Sequence, residues 1–350
     1  MRVAVVGATG NVGTSVLRSF AEEPQVESVV GIARRRPALT LPKVEWVEAD
    51  VTRNDFAPLF RNVDAVISLS WLIQPSRDLN KLWMVNVEGT MRVARATKEA
   101  GVSALLYASS VGAYSPGPKD RRVDESWPTG GVAPSYYARQ KAEVERRLDR
   151  FEAESPAMRV VRMRPGLVFK REAAQGIRRL FGGPFFPSFL ARPELINFIP
   201  EVEDLRSQVV HSHDVGEAFR LALLTDARGA FNLAAEPPLD AQEIKRIFMA
   251  RTFPLPANVL RAGANISWRL RLQPVPPDWL DLSLNIPLMN TMRAHDELGW
   301  TPRHTAGEAL LELLEGLRTG AGLDTPVLSP KTSGPGRLHE IETGVGRREP

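Results

Sequence analysis

Short apolar runs and longer segments of helical period alternate along the first half of this 350-residue chain. Met1–Val6, Val29–Ala33, Val44–Val47, Ala65–Leu69, Ala104–Ala108 and Arg159–Met163 read as strands, several of them almost continuously apolar. Strands of that kind belong to a parallel sheet covered on both faces. Val12–Glu22, Asp78–Ala100 and Ser135–Ala153 carry the helical period, and Gly101 stands where a C-cap glycine belongs. The alternation predicts an α/β fold with a doubly wound parallel sheet.

The pattern changes after Gly166. Residues 182–200 hold several prolines and phenylalanines with weak periodicity. Gln208–Ser212 and Ala230–Ala234 then read as strands around a helix at Val215–Leu224, and all three are expected to rejoin the sheet. The expected division is a first domain built from 1–165 and 207–234, with a smaller substrate-covering domain from 166–206 and 235–322. That smaller part contains Trp268, Trp279 and Trp300, and core packing is the expectation for at least two of them. Residues 324–350 are rich in Pro, Gly and charge, which predicts a disordered tail.

An apolar fraction of 43% supplies a large core. With no cysteine, disulfides and thiolate metal sites are excluded. A strand at the very start leaves no room for a signal peptide, and no apolar run approaches the ~20 residues of a membrane span. The expectation is a cytoplasmic protein with no membrane partner. The net charge of +4 is modest, and the cluster Arg34-Arg35-Arg36 is too short to track a phosphate backbone. No nucleic-acid partner is expected, only a small-molecule substrate.

The first strand breaks into Gly7-Ala8-Thr9-Gly10-Asn11-Val12-Gly13 and runs into a helix. Glycines at that spacing let a backbone turn tightly and approach a pyrophosphate, whose charge rests on the helix N-terminus. The context makes the predicted sheet a Rossmann-type, dinucleotide-binding one. A second signature is Tyr137-Ala138-Arg139-Gln140-Lys141, where a spacing of four puts both ionisable side chains on one helix face. A free tyrosine has a pKa near ~10, too high for efficient proton transfer at neutral pH. A nearby ammonium and an oxidised nicotinamide would lower it. Ser109-Ser110 follows the strand Ala104–Ala108, at the strand end where ligands sit in such sheets. A hydroxyl there can hold a substrate oxygen against Tyr137.

Taken together, these segments resemble the extended short-chain dehydrogenase/reductases, also called the NAD-dependent epimerase/dehydratase family. The resemblance rests on Gly7–Gly13, Asp50-Val51, Asn86-Val87-Glu88-Gly89-Thr90, Ser109–Tyr114 and Tyr137–Lys141. It continues through Arg164-Pro165-Gly166, Val210–Val215, Phe231–Ala234 and Leu298–Pro302, and so covers about residues 1–320. It implies that Gly7, Gly10 and Gly13, with Thr9, Asn11 and Val12 between them, form the pyrophosphate turn. Asp50 and Val51 would meet the adenine, Leu69 and Ser70 would line the cofactor, and Pro165 would touch its nicotinamide end. Tyr137 matches the acid/base, Lys141 the group that binds the nicotinamide ribose, and Ser110 the catalytic hydroxyl. The resemblance also offers Asp78–Ala100 and Ser135–Ala153 as surfaces for a homodimer.

Two departures from the family pattern matter. The second strand, which usually ends in an acidic residue, ends here in Ala33-Arg34-Arg35. Arginine cannot accept hydrogen bonds from ribose hydroxyls but suits a 2′-phosphate, so NADP is expected, with NAD the alternative. The Arg-x-Gly-Asp-like element of nucleotide-sugar members is missing before Leu298-Gly299-Trp300, where Gln273–Leu280 is proline-rich and carries a tryptophan. The first expectation is therefore hydride transfer between nicotinamide and a small alcohol or ketone. The alternatives are a nucleotide-sugar epimerase or dehydratase and a non-catalytic NADP-sensing protein. His211-Ser212-His213-Asp214 could present metal ligands, but Asp214 as a helix N-cap is the simpler reading, and no metal is expected.

Overall fold

A computed structural model describes residues 1–188 and 191–342. Its centre is a seven-stranded sheet of β1 (Arg2–Val6), β2 (Ser28–Ala33), β3 (Val44–Glu48), β4 (Ala65–Ser68), β5 (Ala104–Ala108), β6 (Arg159–Pro165) and β7 (Gly229–Leu233). All neighbours are parallel, in the order β3-β2-β1-β4-β5-β6-β7. The order reverses between β1 and β4, which is where a doubly wound sheet opens a crevice for ligands.

Alternation along each strand divides the core. Ala4, Val6, Val30, Ile32 and Val66 face one side, while Val3, Val5, Val29, Ala65 and Ile67 face the other. Full burial of each large aliphatic side chain contributes roughly 1.5–3 kcal/mol, so both faces are held strongly. Helix α1 (Asn11–Ala21) crosses α4 (Ser212–Leu224) closely. A Cβ on Gly216 would stand 2.7 Å from the Ser15 backbone, and Ser15 Oγ and Ser212 Oγ share a 2.8 Å hydrogen bond.

The long helix expected at Asp78–Ala100 is broken by a π turn at Met84–Gly89, between Leu79–Trp83 and α2 (Thr90–Glu99). Buried Asn86 accounts for the bulge. Its amide donates to Leu72 O and Gln140 Oε1 and accepts from Leu72 N, pinning the loop after β4. Helix α3 (Tyr136–Ala153) is capped by Ser135, whose hydroxyl accepts from Ala138 N.

The segment expected at Gln208–Ser212 forms a strand at Ser207–His211, but it does not rejoin the main sheet. It pairs parallel with Leu167–Phe169 and antiparallel with Ala235–Leu239. The place beside β6 is taken by β7. Gly166 allows this arrangement: a Cβ there would lie 2.3 Å from Gln208 O. Lys170, directly after this short strand, is fully buried and donates to Asn11 O, Thr14 Oγ1 and Ser15 Oγ at 2.7–2.9 Å.

The segment expected as a disordered tail is structured as far as it is described; residues 343–350 lie outside the described residues. Thr325 Oγ1 donates to Thr9 O, and Glu340 forms a buried two-pronged ion pair with Arg178. Composition missed this because one buried salt bridge, several hydrogen bonds and the single buried Leu328, rather than a high apolar content, anchor the segment.

Candidate active site

The glycine turn sits at the crevice. Gly7 has φ +86°, and a Cβ there would be 2.8 Å from Ser70 N. The turn therefore abuts Leu69 and Ser70 at the end of β4, as two residues expected to line a cofactor require. At Gly13 a Cβ would collide with Gly7 O at 2.5 Å, so this glycine allows helix α1 to close onto the turn. Gly10 is open, with only Gly7 O at 3.5 Å. Asn11 Oδ1 is buried without a partner, while its Nδ2 donates to Val168 O. Open backbone and a helix N-terminus fit a bound dinucleotide phosphate.

At the adenosine end, Asp50 is tied to Thr52, whose backbone N–H and hydroxyl both donate to Oδ1 at 2.7–2.8 Å. Burial would raise its pKa, but these bonds and the nearby Arg34 outweigh burial and lower it. Arg34 thus stands near Asp50, while Arg35 is exposed. Val51 is buried against the π turn, 2.6 Å from where a Cβ of Gly89 would lie.

At the reacting end, Tyr137 and Lys141 share a face of α3, and Ser110 follows β5. The two serines have different tasks. Ser109 Oγ donates to buried Glu145 at 2.5 Å and is committed to the scaffold. Ser110 Oγ accepts from Gly112 N at 3.0 Å, which leaves its proton available to donate. Burial pushes the Tyr137 phenol up to about 12, and a hydrogen bond with Ser110 pulls it partly back. Gly112 lets the ring approach this closely, since a Cβ there would touch Tyr137 Cε1 at 2.8 Å.

Lys141 is not directed at the Tyr137 hydroxyl in this state. Its ammonium donates to Ala108 O at 2.8 Å and Tyr107 OH at 3.3 Å, and lies 3.5 Å from the ring centroid of Trp71. Burial lowers its pKa well below the usual lysine range, against the pull of Glu145. Pro165 is buried at the end of β6.

Two tryptophans flank the tyrosine: Trp71, which the sequence reading did not single out, and Trp279, from the proline-rich segment expected to line the substrate. Trp71 meets Tyr137 edge-on at 5.8 Å, and Trp279 lies over it at 4.9 Å. Phe181 packs edge-on against Trp279, also at 4.9 Å. Both indole N–H groups are buried without an acceptor. Of the three tryptophans considered above, Trp300 is core, donating to Asp214 O, and Trp268 stacks under the Arg77 guanidinium at 4.1 Å. No periodicity marks Trp71 or Trp279: a loop carries the first to the site, and the first turn of the short helix Asp278–Asn285 carries the second.

Beneath the site lies an ion network. Glu145, one turn beyond Lys141, accepts from Arg164 Nε and Nη2 and from Arg162 Nη1 at 2.9–3.1 Å. Arg164 also donates to Tyr114 OH, which donates to Asn232 Oδ1. The network clamps α3 to β5, β6 and β7.

Asp214 is not the N-cap: α4 begins at Ser212, and His211 caps it. Asp214 instead pairs with His304 Nδ1 at 3.0 Å. His211, His304 and Glu312 bring their ligating atoms within 4.8 Å of one another, a cluster the local motif could not show. The two imidazoles stack at 3.9 Å, and their ring nitrogens already meet carboxylates, His211 Nε2 with Glu312 at 3.1 Å and His304 Nδ1 with Asp214 at 3.0 Å, which fits a packed polar cluster. A cavity of about 490 Å³ beside it is lined by Arg18, His213 and Arg220, among others. Arg18 and Arg220 in its wall already pair with Glu172, Glu217 and Glu23.

The fold is a Rossmann-like parallel sheet that gathers Ser110, Tyr137 and Lys141 at the end of β5. Residues 3–234 match the NAD dependent epimerase/dehydratase family, and the chain belongs to that family. An uncharacterized protein of Mycobacterium tuberculosis is 26% identical over 326 residues, covering 92% of this chain and 31% of its own length. The chain thus spans about a third of that longer relative. A putative dihydroflavonol 4-reductase of Synechocystis is 27% identical over 129 residues, 35% of this chain and 36% of its own. The UDP-glucose 4-epimerase of Thermus thermophilus in complex with NAD has the same fold, with a TM-score of 0.66 at 20% identity, over 91% of this chain and 99% of its own. Among the described residues no helix is long and apolar enough to cross a membrane.

Proposed function

We propose that this enzyme is an NADP-preferring oxidoreductase that interconverts an alcohol and a ketone on a flat, largely apolar substrate. The aromatic enclosure of the tyrosine carries this reading. Trp71, Trp279 and Phe181 surround the proton-transfer centre with ring faces and edges, which suit an apolar substrate better than a charged sugar nucleotide. The bound nicotinamide supplies or accepts the hydride. Ser110 orients the substrate oxygen, Tyr137 gives or takes its proton, and Lys141, released from Tyr107 and Ala108, binds the nicotinamide ribose. The second reading, a nucleotide-sugar epimerase or dehydratase, draws on the nucleotide-sugar enzymes among the structural relatives. Incubation with NADPH and a panel of aryl and alicyclic ketones separates the two. Net consumption of NADPH supports the oxidoreductase, whereas conversion of UDP- or dTDP-glucose without net consumption overturns it.

The NADP preference rests on Arg34 beside Asp50 and on a β2 end with no acidic residue. NADPH should bind more tightly than NADH, and Arg34→Ala should lower NADPH affinity by about 10-fold, the effect of losing one charge-assisted contact. NADH affinity should hardly move. Titration by quenching of tryptophan fluorescence checks this; equal affinities in the parent protein would refute the preference.

A further inference from the structure

One helix of the substrate-side region buries none of its residues. Ala257–Arg269 nevertheless carries Val259, Leu260, Ile266 and Trp268. On a projection of ~100° per residue, the half-covered Leu260, Ala264, Ser267 and Trp268 share the inner side. The outer side has an apolar stripe of its own. Ala262, Ile266, Val259, Leu270 and Gly263 fill a continuous arc of roughly 100°, and all are exposed. The large ones are exposed by 53–64%, and Leu272 by 49%.

The charge around the stripe has one sign. From Arg251 to Pro277 there are four arginines and no aspartate or glutamate. Arg261 pairs with Asp281 from outside that window. Arg269 and Arg271, exposed at the edge of the stripe, have no carboxylate partner among the described residues.

We propose that the helix Ala257–Arg269 and the turn through Leu272 form a peripheral docking surface for an anionic lipid bilayer. A helix of this design lies in the interface, with its apolar stripe among the upper acyl chains and its arginines at the headgroups. Such docking needs no membrane-spanning segment. A second copy of the chain is the poorer occupant, because a two-fold contact through this stripe would bring the Arg269 and Arg271 pairs of both copies together. The surface also adjoins the candidate active site. The chain leaves it through Pro274, whose carbonyl accepts from Gln74 and Ser76, and reaches Trp279 over Tyr137. The proposal does not depend on the reaction assigned above.

Co-sedimentation of the full chain with vesicles is the test, using pure phosphatidylcholine and phosphatidylcholine with a third phosphatidylglycerol. Binding is expected only to the anionic vesicles and should weaken as salt is raised. Arg269→Gln with Arg271→Gln should lower the partition constant about 30-fold, at roughly fivefold per basic residue near the surface. Ile266→Asp with Leu270→Asp should remove binding without changing the thermal unfolding midpoint. Three results would each overturn the proposal: no binding to anionic vesicles, unchanged binding by both double variants, or a dimer in sedimentation equilibrium that Ile266→Asp disperses.

Discussion

Tyr137→Phe should lower turnover roughly 100- to 10,000-fold, the loss expected when a general acid/base is removed. The substitution keeps the ring that Trp71 and Trp279 enclose, so fold and cofactor affinity should survive. With its phenol pushed up to about 12 by burial, Tyr137 holds its proton across the neutral range. Ketone reduction, which takes that proton, should therefore be insensitive to pH near neutrality. Alcohol oxidation, which must first free the phenolate, should accelerate as pH rises. Ser110→Ala should mainly reduce turnover, since its hydroxyl is not committed to the scaffold and adjoins Tyr137. Lys141→Ala should harm cofactor affinity as well as turnover. Steady-state kinetics and thermal unfolding on the same three variants separate these roles. Near-normal activity of Tyr137→Phe on a verified substrate would end the assignment.

Glu145→Ala should cost about 3–5 kcal/mol of stability, the scale for leaving buried charge without its partner. Glu145 is fully buried, and Arg162 and Arg164, themselves nearly so, both donate to it. Burial would raise the pKa of this carboxyl, but the two guanidiniums and Ser109 hold it at about 2. The folded-state value therefore lies below the unfolded one. The stabilisation is complete above the ordinary carboxylate range near 4.5 and is lost as pH falls toward about 2. Urea unfolding of parent and variant at neutral and acid pH tests this. A neutral-pH cost under about 1 kcal/mol, or a difference that persists unchanged at pH 2, would contradict a buried ionic clamp.

The parallel sheet was legible because β1, β2, β4 and β5 are apolar runs of strand length between helical periods. The tight turn at Gly7–Gly13 was legible because glycine alone satisfies its geometry at two of the three glycine positions. The site was legible only where its residues share a short motif. Tyr137 and Lys141 lie four apart on one helix, so spacing places them together. Trp71 and Trp279 are more than two hundred positions apart, and only tertiary packing unites them. The same holds for His211 with His304 and Glu312. The strand Ser207–His211 looked like any other apolar strand, because periodicity specifies a face to bury but not a partner to pair with. The segment 324–342 escaped notice because Arg178, which holds Glu340, lies far back in the chain.

Buried Lys170 gives the cofactor turn a proton ledger. Burial brings this amine down to about 7, so near neutrality about half the molecules carry its charge. Its contacts are the backbone and hydroxyls of the first turn of α1, with Arg18 as the cationic neighbour, Glu172 as the acidic one, and His213 nearby, which burial brings down to about 4 and so keeps neutral. A dinucleotide phosphate settling on that helix end favours the ammonium form. Binding at pH 7.5 should thus draw a fraction of a proton from solution, and affinity should decline as pH rises further. Calorimetric titration in two buffers of different ionisation heat counts that proton, and Lys170→Met should abolish the difference between them.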